Sequence, residues 1–161
     1  MNAGAAAATG EILLFLHADT RLPPQFDEMV VSALLVPGTI AGAFALHIDA
    51  PIKSLRLVEV GVNWRSRIMQ MPYGDQAIFI NKEVFHQIGG FPELPFMEDF
   101  EVMRRLRPMG RIAIIPQPVI TSARRWQKKG VYKTTLMNQI AIVAYLLGVP
   151  PKQILHWYRE G

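Results

Sequence analysis

The 161-residue sequence contains no cysteine. Disulfides, zinc–thiolate sites and thiol nucleophiles are therefore excluded, and the absence fits a cytoplasmic protein. There is also no apolar run able to span a bilayer: the stretch 140–149 falls far short of the ~20 residues required. Residues 1–10 lack the basic start and apolar centre of a secretory signal. Charged residues are sparse at 19%, against 50% hydrophobic, a balance that argues against disorder. With neither an internal repeat nor a low-complexity linker, this length predicts one domain, 1–161, around a sizeable core.

Positive charge is in modest excess, +4 in all. It gathers at Arg104, Arg105 and Arg107, and again at Arg124, Arg125, Lys128 and Lys129. Such clusters suit nucleic acid, anionic lipid or a phosphorylated small molecule. The first two ordinarily need a broader basic field, and no helix here looks built to read a groove. The expected partner is phosphate on a small ligand, with no nucleic acid. Contact with a membrane surface is a lesser expectation, raised by Lys128, Lys129 and Lys133 beside an apolar helix predicted at 132–147.

Residues 1–10, rich in Ala and Gly, read as the end of a helix stopped by Gly10. The apolar run 12–16 is too short for a helix with a buried face. It suits a strand covered on both faces, as in the middle of a parallel sheet. Helices are expected at 25–35, 51–69, 82–88 (capped by Asn81) and from Glu98 to about Arg107. Strands are expected at 40–49, 77–80, 111–115 and 119–123, and a last short helix follows Pro150. The chain divides into a core, 1–126, and a helical segment, 130–161.

Polar clusters end four apolar elements: His17 with Asp19, Gly74-Asp75-Gln76, Glu98-Asp99, and Arg124-Arg125-Trp126. Ligands in open α/β sheets bind beyond the carboxyl ends of strands, so Asp19 either handles a metal or phosphate there or caps the next turn. Glu98 and Asp99 suit a helix dipole without any further role. Asp75 and Gln76 could be turn chemistry, and Arg124 and Arg125 a solvated basic loop. Taken together, the clusters suit one job. A carboxylate holds a divalent ion on a diphosphate, a second takes a proton from an attacking hydroxyl, and arginines neutralise the leaving phosphate. Oxygen ligands and phosphate favour Mg²⁺ or Mn²⁺. His47, His86 and His156 read as ordinary histidines.

These segments carry a resemblance. Residues 16–20, Leu-His-Ala-Asp-Thr, resemble the Asp-x-Asp region of family-2 glycosyltransferases of the GT-A fold. Gly74 to Phe79, with Phe85 and Gly89-Gly90-Phe91, is similar to their acceptor-side segment. Met97 to Glu101 with Arg104-Arg105 resembles their Glu-Asp motif, and Arg124-Arg125-Trp126 their Arg-Trp element. The order and spacing over 2–126 resemble a bacterial subgroup, the selenodomain- or radical-SAM-associated glycosyltransferases. The resemblance implies a mixed, mainly parallel sheet flanked by helices and an inverting, metal-dependent transfer from a nucleotide-diphosphate sugar to an acceptor hydroxyl. It makes Asp99 the general base, supported by Glu98. Asp19 becomes the metal ligand, and Asp75, Gln76, Arg124, Arg125 and Trp126 bind substrate.

The sequence departs from that pattern twice. His17 occupies the first acidic position, so metal binding rests more on Asp19, with His17 either ligating or packing near the ribose. The nucleotide-binding βαβαβ half expected at the start is missing, so the domain is expected to be N-terminally truncated and impaired. The rival expectation is a non-catalytic module that pairs an open sheet edge with itself or another chain.

Overall fold

The computed structural model describes residues 1–160. Its elements run α1 Asn2–Ala7, β1 Ile12–Phe15, β2 Thr20–Arg21, α2 Phe26–Leu34, β3 Thr39–Asp49 and α3 Lys53–Met69. A single 3-10 turn, Gly74–Gln76, leads into β4 Ile78–Asn81, α4 Lys82–Gln87, α5 Glu98–Leu106 and β5 Arg111–Ser122. Three helices follow: α6 Arg124–Lys129, α7 Val131–Leu146 and α8 Pro151–Glu160.

The five strands form one sheet in the order β1-β4-β3-β5-β2. The expected mixed α/β sheet is present. Its longest ladder is the parallel pair β3–β5, while β1–β4, β3–β4 and β2–β5 are shorter and antiparallel. The expectation for β1 needs a correction. Leu13 and Phe15 pack into one core and Ile12 and Leu14 into the other, so both faces are covered, yet the strand lies at the sheet's edge. An apolar run reports covered faces and says nothing about edges.

Alternation along β3 separates the two cores. Ala41 and Ala43 face a layer with Ile78, Ile80, Phe85 and Phe100. Phe44, Leu46 and Ile48 face Val30, Leu55, Phe79 and Val119. Small residues on β3 let neighbours approach: a Cβ on Gly42 would stand 2.5 Å from the Ala113 carbonyl oxygen and 2.3 Å from the Phe79 ring. The two strands expected at 111–115 and 119–123 are one strand, β5, whose register against β3 shifts where Ile115 gives way to Pro118. Prolines cannot donate to a ladder, and a bulge accommodates them.

β4 pairs with β3 only at Ala41 and Gly42, so the rest of that edge needs other partners. Side chains provide them. Gln76 Nε2 donates to the Phe44 carbonyl at 2.9 Å. Asn63 both accepts from Leu46 N–H at 2.7 Å and donates to its carbonyl at 3.1 Å. Glu59 accepts from Ile48 N–H, and Arg56 donates to the Ile48 carbonyl at 2.6 Å. Three α3 side chains and one turn glutamine thus stand in for a strand.

Candidate active site

The α5 helix has acids in its first turn and Arg104 and Arg105 in its last, the arrangement that complements the helix dipole. Its entry is less relaxed: Met97, the N-cap, is left-handed at φ 68°. Ala77, directly after the 3-10 turn, is left-handed too, at φ 50°. For non-glycine residues that conformation costs about 1–2 kcal/mol each. Met97 leads directly into Glu98-Asp99 and Ala77 closes the turn that carries Asp75, and the Gly74 N–H of that turn reaches Asp99.

Asp99 is held by two backbone donors. Gly74 N–H donates to Oδ2 and Phe100 N–H to Oδ1, each at 2.7 Å. An ionised carboxylate offers roughly four lone-pair sites, so each oxygen keeps capacity for a further partner. The approach of Gly74 depends on its lack of a side chain. A Cβ there would stand 2.6 Å from His17 Nε2 and 3.3 Å from Asp99 Oδ2. His17, arriving from the end of β1, therefore packs on the turn that carries Asp75.

Asp75 has a buried Oδ1 with no hydrogen-bond partner. Burial, reinforced by the nearby Asp99 charge, pushes its carboxyl up to about 6, with Arg65 and His17 opposing. Tyr73 stacks under the Arg65 guanidinium, 3.6 Å from ring centroid to Cζ, and burial raises its phenol to about 12. Arg65 is itself lowered by burial.

Asp19 stands apart from this group, half exposed, with Oδ2 3.9 Å from Arg124 Nη2. Its carbonyl accepts from Ser122 N–H at 3.1 Å, and the Thr20–Thr121 hydroxyl pair at 3.0 Å locks the same junction. The basic stretch at 124–129, foreseen as a loop or a ligand element, is the helix α6. Arg125 lies over the Tyr158 ring at 3.7 Å. Trp126 is buried, and its Nε1–H has no partner.

A cavity of about 740 Å³ joins these pieces, within the range of small-molecule sites. His17, Asp19, Asp75, Glu98, Asp99, Arg124, Arg125 and Trp126 all line it. Gln76 does not. It is fully buried, its Oε1 accepts from Ser66 Oγ at 2.8 Å and Tyr73 N–H at 3.2 Å, and its amide nitrogen serves β3. Its expected contact with substrate is corrected accordingly: Gln76 builds the turn that presents Asp75.

Tyr73, Phe96, Asn138, Ile142 and Tyr158 also line the cavity, and sequence reasoning missed them. Glu101 was missed as well. Buried behind the wall, it accepts from Arg104 at 2.8 and 2.9 Å, Arg105 at 3.2 Å and Tyr145 Oη at 3.1 Å. Those hydrogen bonds, Arg104's first, outweigh burial and hold its carboxyl down at about 2. The knot ties α7 to α5.

Among the described residues, no three His, Asp or Glu side chains are arranged to hold a metal ion. Asp19 and His17 supply at most two ligands. Mg²⁺ characteristically binds through one or two carboxylates plus substrate phosphates, so this donor set fits a cation that arrives with a diphosphate.

No curated protein matches the chain. The family model described as glycosyl transferase family 2 matches residues 1–91, which include His17, Asp19, Asp75 and Gln76. That match covers more than half of the 161 residues, and it agrees with a mixed sheet whose strand ends and turn deliver acids to one cavity. The chain belongs to glycosyl transferase family 2.

Proposed function

We propose that the chain catalyses inverting transfer of a sugar from a nucleotide-diphosphate donor to an acceptor hydroxyl. The observation that carries this reading is that two of the buried polar atoms without a partner, Asp75 Oδ1 and Trp126 Nε1, belong to residues of the cavity wall. One accepts and one donates, as sugar hydroxyls require, and both residues line the cavity that holds Asp99 and Arg124.

In this reading Asp99 takes the acceptor's hydroxyl proton as the oxygen bonds to the anomeric carbon. The bond from that carbon to the diphosphate oxygen breaks, and its electron pair leaves with the nucleoside diphosphate. Attack opposite the leaving group inverts the carbon. Gly74 and Phe100 N–H fix the Asp99 carboxylate, and Glu98 supports it from the cavity wall. Asp75 and Trp126 bind hydroxyls, while Arg124 and Arg125 offset the leaving charge. Asp19 and His17, which both line the cavity, would hold Mn²⁺ or Mg²⁺, which when bound neutralises charge on the diphosphate.

Membership of the selenodomain-associated subgroup and a cytoplasmic place of work belong to the same proposal. So does slow turnover by this chain alone, since β1 at the sheet edge leaves the donor side open. That edge also favours a second reading, a non-catalytic module whose β1 pairs with a further strand: among the described residues, β1 pairs only with β4.

Thermal melts with UDP, GDP, TDP and CMP, with and without Mn²⁺, separate the two. A metal-dependent rise for one nucleotide, lost in Asp19→Ala, supports the enzyme. Donor cleavage with that nucleotide's sugar should then fall at least about a hundredfold in Asp99→Asn. No shift with any nucleotide, together with no donor cleavage, refutes transfer and leaves the module.

A further inference from the structure

A helix that is apolar all round is ordinarily buried. α7 is apolar on both sides and yet has one side open. Its inner side carries Thr134, Ala141 and Ala144, all buried, and contributes Asn138, Ala141 and Ile142 to the cavity. On the outer side Tyr132, Leu136, Ile140, Val143, Leu146 and Leu147 are 41–84% exposed. At 100° per residue these six fall within one third or so of the circumference. Gln139 is the polar residue within that arc, and Lys133 and Thr135 border it on either side.

The neighbouring α3, in contact with α7, repeats the pattern. Leu57, Val60, Trp64 and Ile68 are 62–75% exposed, and its one carboxylate, Glu59, is buried against β3. Apolar surface of this extent marks a contact site.

The charge near it in the chain selects the partner. Between Glu101 and Glu160 the sequence has eleven Lys and Arg and not one Asp or Glu. A second copy of the chain would place the same surface on both sides of a two-fold contact, and α7 has no carboxylate to meet Lys133. An anionic lipid surface complements both the apolar arc and the charge. No helix among the described residues is long and apolar enough to cross a membrane, so α7 would lie on the bilayer rather than pass through it.

We propose that the outer face of α7, extended by α3, docks this protein on anionic bilayers, with Tyr132 and Trp64 at the headgroup level. The inner side of the same helix lines the cavity, so docking holds the site about one helix diameter, ~10 Å, from the lipid. The docking itself does not depend on the transfer chemistry, and its test uses neither donor nor metal.

The test is co-sedimentation of the full chain with phosphatidylcholine vesicles, with and without one quarter phosphatidylglycerol. Binding to the anionic vesicles alone, weakening as salt rises, is expected. Leu136→Glu with Val143→Glu should abolish it without lowering the melting temperature, because both side chains are more than half exposed. Lys133→Gln should weaken it about fivefold, a readout that survives if the double variant folds poorly. Absence of vesicle binding, or equal binding to neutral vesicles, overturns the proposal. So does a concentration-dependent dimer that the double variant dissociates while vesicles bind nothing.

Discussion

Replacing Asp75 with Asn removes a charge that the fold holds at a cost, and the cost has a defined pH window. Burial, then the Asp99 charge, raises this carboxyl from an ordinary 3.8 to about 6. A raised acid favours folding while it is protonated. That contribution is complete below pH ~3.8, declines as pH rises towards ~6, and is gone above it. Two pKa units correspond to about 3 kcal/mol, an upper figure because Asn brings its own amide to a site where Oδ1 already lacks a partner. The expected gain at pH 8 is about 1–3 kcal/mol. At about 2–4 °C per kcal/mol for a chain of this size, Asp75→Asn should melt about 2–12 °C higher than the native protein at pH 8 and within a degree or so at pH 4. Melts followed by circular dichroism in half-unit steps would trace the difference. A constant difference across that range, or a loss of stability that deepens as pH rises, would refute the account of Asp75 as a buried, charge-strained carboxylate.

Glu101→Gln probes the opposite sign. Its depressed carboxyl contributes stability above pH ~4.5 that is lost towards ~2, so the variant should be less stable at pH 7 by about 1–3 kcal/mol and converge with the native protein in acid melts. Gly74→Ala should abolish nucleotide-sugar cleavage while leaving a folded protein. Its Cβ meets His17 and the Asp99 carboxylate, and unchanged cleavage would show that the turn does not position them. Gln76→Ala leaves the Phe44 carbonyl and Ser66 hydroxyl unpaired and should cost about 2–4 kcal/mol in urea unfolding. A cost under about half a kcal/mol would mean that Gln76 does not substitute for a strand.

The parts legible in the sequence were those written in local pattern. The alternation at 40–49 predicted β3, the acids and arginines around 98–107 predicted α5, and Asn81 does cap α4, accepting from Glu83 N–H at 2.9 Å. The four polar clusters were also found, and all eight of their side chains other than Gln76 and the turn glycine line one cavity. What escaped was pairwise and distant. Strand direction depends on which neighbour a strand meets, so the apolar run of β1 could not reveal an antiparallel edge. β2 is two residues long and has no period to detect. Tyr145 and Tyr158 reach the site region from α7 and α8, and nothing near Asp99 in the chain announces them.

Gln76 shows why such misses have a physical basis. Beside Asp75, at the end of a polar turn, it has the composition of a ligand contact. What decides its role is the length of β4, which stops pairing with β3 after Gly42 and leaves the Phe44 carbonyl without a strand partner. An unpaired buried carbonyl is costly, and the glutamine amide is the group within reach. The same bond that completes the sheet therefore fixes the turn, and the turn fixes Gly74 against Asp99 and Asp75 inside the cavity. Its position links the stability of the sheet edge to the geometry of the site. Sheet-edge substitutions such as Asn63→Ala, which free the next residues of β3, should on this argument loosen the acids before they unfold the chain.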